Sequence, residues 1–167
     1  MRVRLLRAVL VVGAAAALTA AGTTAAGPPV TPQPISTGGT VVFTRTTPPS
    51  PGSASTQAAG AINCNMTVDY PHASGHNPGQ VNVESHVTCD GIVSSIGLTT
   101  KLFRAGIQVA SNPAYATGTF FLNGQANATC LTARYGGSAD TLITAPPGYT
   151  PVSARLHVDG AVVQVNC

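Results

Sequence analysis

Polar and apolar residues alternate along most of this chain, and every cysteine falls on the apolar phase. Cys64 shares its phase with Ile62, Met66 and Val68, and Cys89 shares its phase with Val81, Val83 and Val87. Cys130 follows Leu122, Gly124, Ala126 and Ala128, and Cys167 follows Ala161, Val163 and Val165. Side chains two apart on a strand face the same way, so the pattern predicts strands whose cysteines all point into one core. Beyond the N-terminal segment no stretch spaces apolar residues at i, i+3, i+4 and i+7, so little helix is expected.

Read in detail, the alternation predicts strands over 62–70, 80–89, 92–104, 107–110, 119–130, 140–145, 152–158 and 161–167. Loops are expected at 71–79, which holds Pro71 and Pro78, and at 111–118. Ala105-Gly106 reads as a tight turn. Gly124 predicts a bulge or a close backbone approach. Residues 131–135 resume the alternation on a shifted phase, which requires a bulge or turn near Cys130. Asp159-Gly160 suits a type I′ turn and predicts a final hairpin in which Val158 faces Ala161 and Leu156 faces Val163. Roughly seven or eight short strands at regular spacing predict an all-β fold, an antiparallel β-sandwich of immunoglobulin-like kind stapled by disulfides.

The ends fix the domain limits and the compartment. Arg2, Arg4 and Arg7 precede an apolar run to Ala21, and Thr24-Ala25-Ala26 suits signal peptidase. The run is about 14 residues, short of the ~20 that span a bilayer. Residues 1–26 therefore read as a signal peptide and the product as secreted, extracellular, with no membrane span after cleavage. Residues 27–60 carry Pro28, Pro29, Pro32, Pro34, Pro48, Pro49 and Pro51 and read as a flexible linker, with a short added strand at Thr40–Arg45. Residues 61–167 form the β domain.

An even cysteine count in an exported chain implies disulfides. The positions 64, 89, 130 and 167 contain no CxxC, which removes the common zinc-cysteine and thioredoxin-like patterns. Of the three pairings, Cys64–Cys89 with Cys130–Cys167 is favoured, because each bond joins neighbouring or near-terminal strands. Cys64–Cys130 would mimic the inter-sheet bond of immunoglobulin domains, but there is no core Trp, and Ala128 stands where their Tyr precedes the second cysteine.

Without the leader, Arg45, Lys101, Arg104, Arg134 and Arg155 balance Asp69, Glu84, Asp90, Asp140 and Asp159. Such a chain lacks the basic patch that a nucleic acid or an anionic membrane requires. Aromatic residues are only 5% and Trp is absent, which argues against a large aromatic platform.

Candidate chemistry is sparse. His72 and His76 lie in one loop and His86 on the next strand beside Glu84, a loose set of ligands for zinc or copper. His157, flanked by Ser153 and Arg155, reads as an exposed strand histidine. No serine sits in a Gly-x-Ser-x-Gly elbow, and no pattern assigns catalytic or cofactor-binding residues. The leading reading is a non-enzymatic binding or structural module at the cell exterior, its partner an extracellular protein or a cell-wall component. One alternative is a metal-binding protein or small metal-dependent enzyme using His72, His76 and His86. Another is a secreted protease inhibitor presenting 71–79 or 111–118.

The segments Ile62-Asn63-Cys64, Pro71-His72-Ala73-Ser74-Gly75-His76, Cys89-Asp90, Leu102-Phe103-Arg104-Ala105-Gly106 and Pro146-Pro147-Gly148-Tyr149-Thr150-Pro151 carry a resemblance. Over roughly residues 62–151 the chain resembles small secreted actinobacterial proteins of unknown function. That resemblance implies an exported β domain and assigns no activity.

Overall fold

Alternation of this kind leaves one face of each strand apolar, and the chain buries those faces by curling a single sheet. The computed structural model describes residues 35–36, 39–46 and 60–167; the stretch read as a signal peptide and most of the linker lie outside them. The described residues contain ten strands and no helix. They are β1 (Ile35–Ser36), β2 (Thr40–Arg45), β3 (Ala61–Val68), β4 (His72–Ala73), β5 (Gln80–Arg104), β6 (Ile107–Thr129), β7 (Ala133–Thr144), β8 (Tyr149–Thr150), β9 (Ser153–Asp159) and β10 (Val163–Val165). All pairings are antiparallel except that of β1 with β9.

The organising element is the long hairpin β5–β6, of 25 and 23 residues. Its turn is the expected Ala105-Gly106, with φ of 49° and 81°, the positive values of a type I′ turn. β6 follows one edge of β5 for most of its length. The other edge is shared: β3 and β4 take the first half, and β7 takes the second, from Ser95 to Arg104. Between the halves, residues 89–92 of β5 stand opposite Phe120 alone, since Thr88 pairs with Phe121 and Val93 with Thr119. The extra residues bend β5. Val81, Val83, Ser85, Val87, Cys89 and Val93 are buried on one phase and Ile96, Leu98, Thr100 and Leu102 on the other, so the buried phase changes just past the bend, between Val93 and Ile96.

The strand order β9-β7-β5-β3-β2-β8 would separate β8 from β9 by roughly 24 Å in a flat sheet. Only Pro151 and Val152 join them, a reach of about 10 Å. The sheet therefore folds its apolar face inward. Phe43, Ile62, Met66, Val87, Ile96, Leu98, Ile143 and Leu156 meet in one cluster, with contributions from both halves of β5. A second cluster joins Val81 and Val83 to Leu102, Ala126, Tyr135 and Val165. Gly124 is required by this inward packing: a Cβ there would lie 2.6 Å from Thr100 Oγ1, and the Thr100 hydroxyl is tied to that of Ser85.

The short added strand expected at Thr40–Arg45 forms as β2 and buries Phe43 completely against β3. Several other expectations change. The strands expected at 80–89 and 92–104 are one bent strand. Residues 111–118 are not a loop but part of β6, with Pro113 opposite Thr99. Proline is tolerated there because, among the described residues, β6 pairs only with β5, so its other side needs no donor. The final hairpin does not form. β9 and β10 both pair with β7, with Ser138 opposite Asp159 and Tyr135 opposite Val163, a one-residue shift of register. Gly160 lies between them as a bulge, its N–H donating to Gly137 O. The twelve-residue β7 offers the chain a continuous edge, which outcompetes the local turn preference of Asp-Gly.

The cysteines bond as Cys64–Cys89 and Cys130–Cys167. Cys64 and Cys89 face each other across β3 and β5 within the first cluster. The other pair departs from expectation: Cys130 is half-buried and Cys167 exposed, because β10 ends at Val165. Two disulfides are consistent with an oxidising extracellular setting. Among the described residues no helix is long and apolar enough to cross a membrane.

Candidate functional site

With the inward faces committed to packing, chemistry is left to the outward ones. On the first half of the hairpin, His86 points outward from β5 opposite Thr67. Glu84 is two residues away on the same face, and the Asp69 N–H donates to Glu84 O across the strands. The result is a cluster that the histidine pattern did not suggest. His86 Nε2 lies 3.3 Å from Asp69 Oδ2 and 4.0 Å from Glu84 Oε2. His72 and His76 are not part of it. His72 opens β4 with Nδ1 3.2 Å from Tyr70 O, and His76 is exposed in the following loop.

Neighbours hold the cluster. The Phe121 ring stacks on the His86 imidazole, with centroids 6.2 Å apart and planes at 19°. Asn82 donates Nδ2 to Glu84 Oε1 at 2.9 Å, leaving Oε2 as the oxygen nearer His86. The signal for this cluster was present in the favoured disulfide: if Cys64 faces Cys89 in an antiparallel ladder, Asp69 faces Glu84 and Thr67 faces His86.

On the second half, β6, β5, β7 and β9 set their outward residues in rows. Tyr115, Gly97, Leu142 and Arg155 form one row, and Pro113, Thr99, Asp140 and His157 the next. Lys101 Nζ donates to Asp140 Oδ2 at 2.6 Å. His157 Nδ1 donates to Asp140 Oδ1 at 2.7 Å, and its Nε2 reaches Asp159 Oδ1 at 3.2 Å. Partial burial opposes ionisation of Asp140, but hydrogen bonds from Lys101 and His157, with their positive charges, hold its carboxyl below the usual range. The hydrogen bond to Asp140 raises the His157 pKa against the effect of partial burial, and the charges of Asp140 and Asp159 add to the rise.

This network borders a groove of about 560 Å³ lined by Pro113, Tyr115, Thr99, Asp140, Arg155 and His157 among others. Tyr115 is 70% exposed beside Gly97, which contributes no side chain to the floor. A depression of about 510 Å³ near the Ala105-Gly106 turn, lined by Phe103, Val162 and glycines together with Arg134 and Asp159, carries no comparable network.

The chemistry of the array is specific. When His157 is protonated both of its nitrogens can donate to these carboxylates, and when it is neutral only one can. His157 is held by hydrogen bonds in a line of alternating charge, on paired strands that hold their side chains in place. Sequence reading set His157 aside because Asp140 lies on another strand and only the β7–β9 register brings them together. Comparison of the chain with protein-family models, with curated proteins and with solved structures finds no match.

Proposed function

We propose that this chain is a secreted, non-enzymatic binding module, a disulfide-stapled β-sandwich of immunoglobulin-like kind whose contact surface is the groove beside Tyr115. The observation that carries the reading is His157 saturated between Asp140 and Asp159, with Lys101 closing the line. Such an array presents ordered donors and acceptors to a ligand. Exposed Tyr115 and Arg155 flank it, two residue types that dominate binding energy at recognition surfaces.

The sandwich reading is supported by the clusters shared between the two halves of β5. It is also supported by Tyr135, whose hydroxyl donates to Leu131 O and accepts from Leu131 N, resembling the tyrosine corner of immunoglobulin domains. Cys64–Cys89 joins adjacent strands, however, rather than two layers. Export is supported by the basic, then apolar N-terminal segment and the paired cysteines. The partner we infer is an extracellular protein or a cell-wall component.

The test is retention of the exported chain on the producer's cell-wall fraction and on immobilised culture-supernatant proteins. Tyr115→Ala with Arg155→Ala should lower retention at least tenfold while leaving the melting temperature within about 2 °C, since both side chains are exposed. Equal retention by the variant would remove the groove from the account.

A further inference from the structure

We propose that Asp69, Glu84 and His86 bind one zinc ion on the outward face of β3 and β5. The donor atoms are already near the spacing that a tetrahedral ion requires. Zinc holds imidazole nitrogen and carboxylate oxygen at roughly 2.0–2.2 Å, so two donors on one tetrahedron stand roughly 3.3–3.6 Å apart. His86 Nε2 is 3.3 Å from Asp69 Oδ2 and 4.0 Å from Glu84 Oε2. One ligand atom from each of the three residues lies within 4.8 Å of the other two. Small side-chain rotations close the remainder.

Electrostatics points the same way independently. Asp69 and Glu84 are cross-strand neighbours, and like charges placed so are destabilising. Among the described residues neither carboxylate pairs with a Lys or Arg. The one basic group at hand is His86 Nε2, a single nitrogen offering at most one proton to two acids. A divalent cation satisfies all three groups at once.

Residues outside the trio orient it. Asn82 is only 6% exposed; its Nδ2 reaches into the cluster to hold Glu84 Oε1, and its Oδ1 is buried without a donor. Phe121 fixes the plane of the His86 ring. Secondary contacts of this sort set ligand orientation in metal sites. With one imidazole and two carboxylates the set suits zinc, whereas calcium requires six to eight oxygens. Three protein ligands on an open sheet face leave a fourth position to solvent.

The experiment is calorimetric titration of the exported, metal-stripped chain with zinc chloride, with thermal melts in parallel. One ion per chain should bind, and excess zinc should raise the melting temperature. His86→Ala should abolish binding. Asp69→Asn and Glu84→Gln should each weaken it at least tenfold, with the metal-free melting temperatures close to that of the parent. His72→Ala with His76→Ala should leave binding unchanged. The proposal is overturned if the parent binds no zinc, if calcium binds in its place, or if zinc binding survives His86→Ala. Loss of binding in the His72/His76 variant would also overturn it and move the ion to the loop.

Discussion

The two outward faces of the bent hairpin use the same strand geometry and reach opposite electrostatic states. On β5–β7–β9, Lys101, Asp140, His157 and Asp159 alternate in charge, and each group is answered by its neighbour. On β3–β5, Asp69 and Glu84 converge on one imidazole with no Lys or Arg beside them. Rigid registers place side chains equally well in both. What differs is whether the protein itself supplies the countercharge. We propose the self-answered array as a surface for recognition and the unanswered one as a site for a cation.

The two disulfides offer the sharpest way to break this picture of a rigid scaffold, and they too differ by region. Cys64–Cys89 is buried in the main cluster, whereas Cys130–Cys167 sits at the edge with Cys167 exposed. Loop length alone favours the second slightly, with a separation of 37 residues against 25. Burial should reverse that order. Replacing Cys64 and Cys89 by Ser should cost about 5 kcal/mol, since buried hydroxyls are added to the lost crosslink. The same change at Cys130 and Cys167 should cost about 3 kcal/mol. Denaturant unfolding of the two double variants measures both. In mild reductant, mass mapping should find Cys130–Cys167 opened first.

The charge line comes next in size. Asp140→Asn should cost about 1 kcal/mol, because its partners are partly solvated. Its pH dependence is more telling. His157 has a raised folded-state pKa, so its contribution is complete below its ordinary 6.5 and is lost as pH rises through the folded value. Asp140 has a lowered one, so its contribution is complete above 3.8 and is lost as pH falls through the folded value. The stability difference between the parent and His157→Gln should therefore be largest between those two pH values and shrink above them. Thermal melts across pH would show it, and a difference that grows above pH 6.5 would contradict the assignment. The smallest effect is at the hairpin turn. Ala105 holds φ of 49°, a conformation that Asn adopts more readily, so Ala105→Asn should stabilise by about 0.5 kcal/mol in the same unfolding measurement.

Local pattern and long-range pairing were legible to different degrees. Alternation identifies the inward residues of β3 and of both halves of β5, because burial on one face leaves a period of two. Ala105-Gly106 is legible as a turn because Gly106 readily takes positive φ, and Gly124 is legible because a missing side chain marks a close approach. The Asp69–Glu84–His86 cluster follows from one correct disulfide. Asp140 and His157 do not follow, since their contact depends on β9 docking along β7, a choice made by tertiary packing. The same packing turned Asp159-Gly160 from a turn into a bulge. It also let 111–118 extend as an edge, where Asn112 Nδ2 donates to Gln125 O on the returning part of β6.

The contrast between the two faces is tested directly by imidazole nitrogen NMR on the purified chain during a zinc titration. The His86 Nε2 resonance should move and reach its limit at one equivalent, while both nitrogens of His157 hold their shifts because carboxylates already occupy them. Movement at His157 with His86 unchanged would contradict the account.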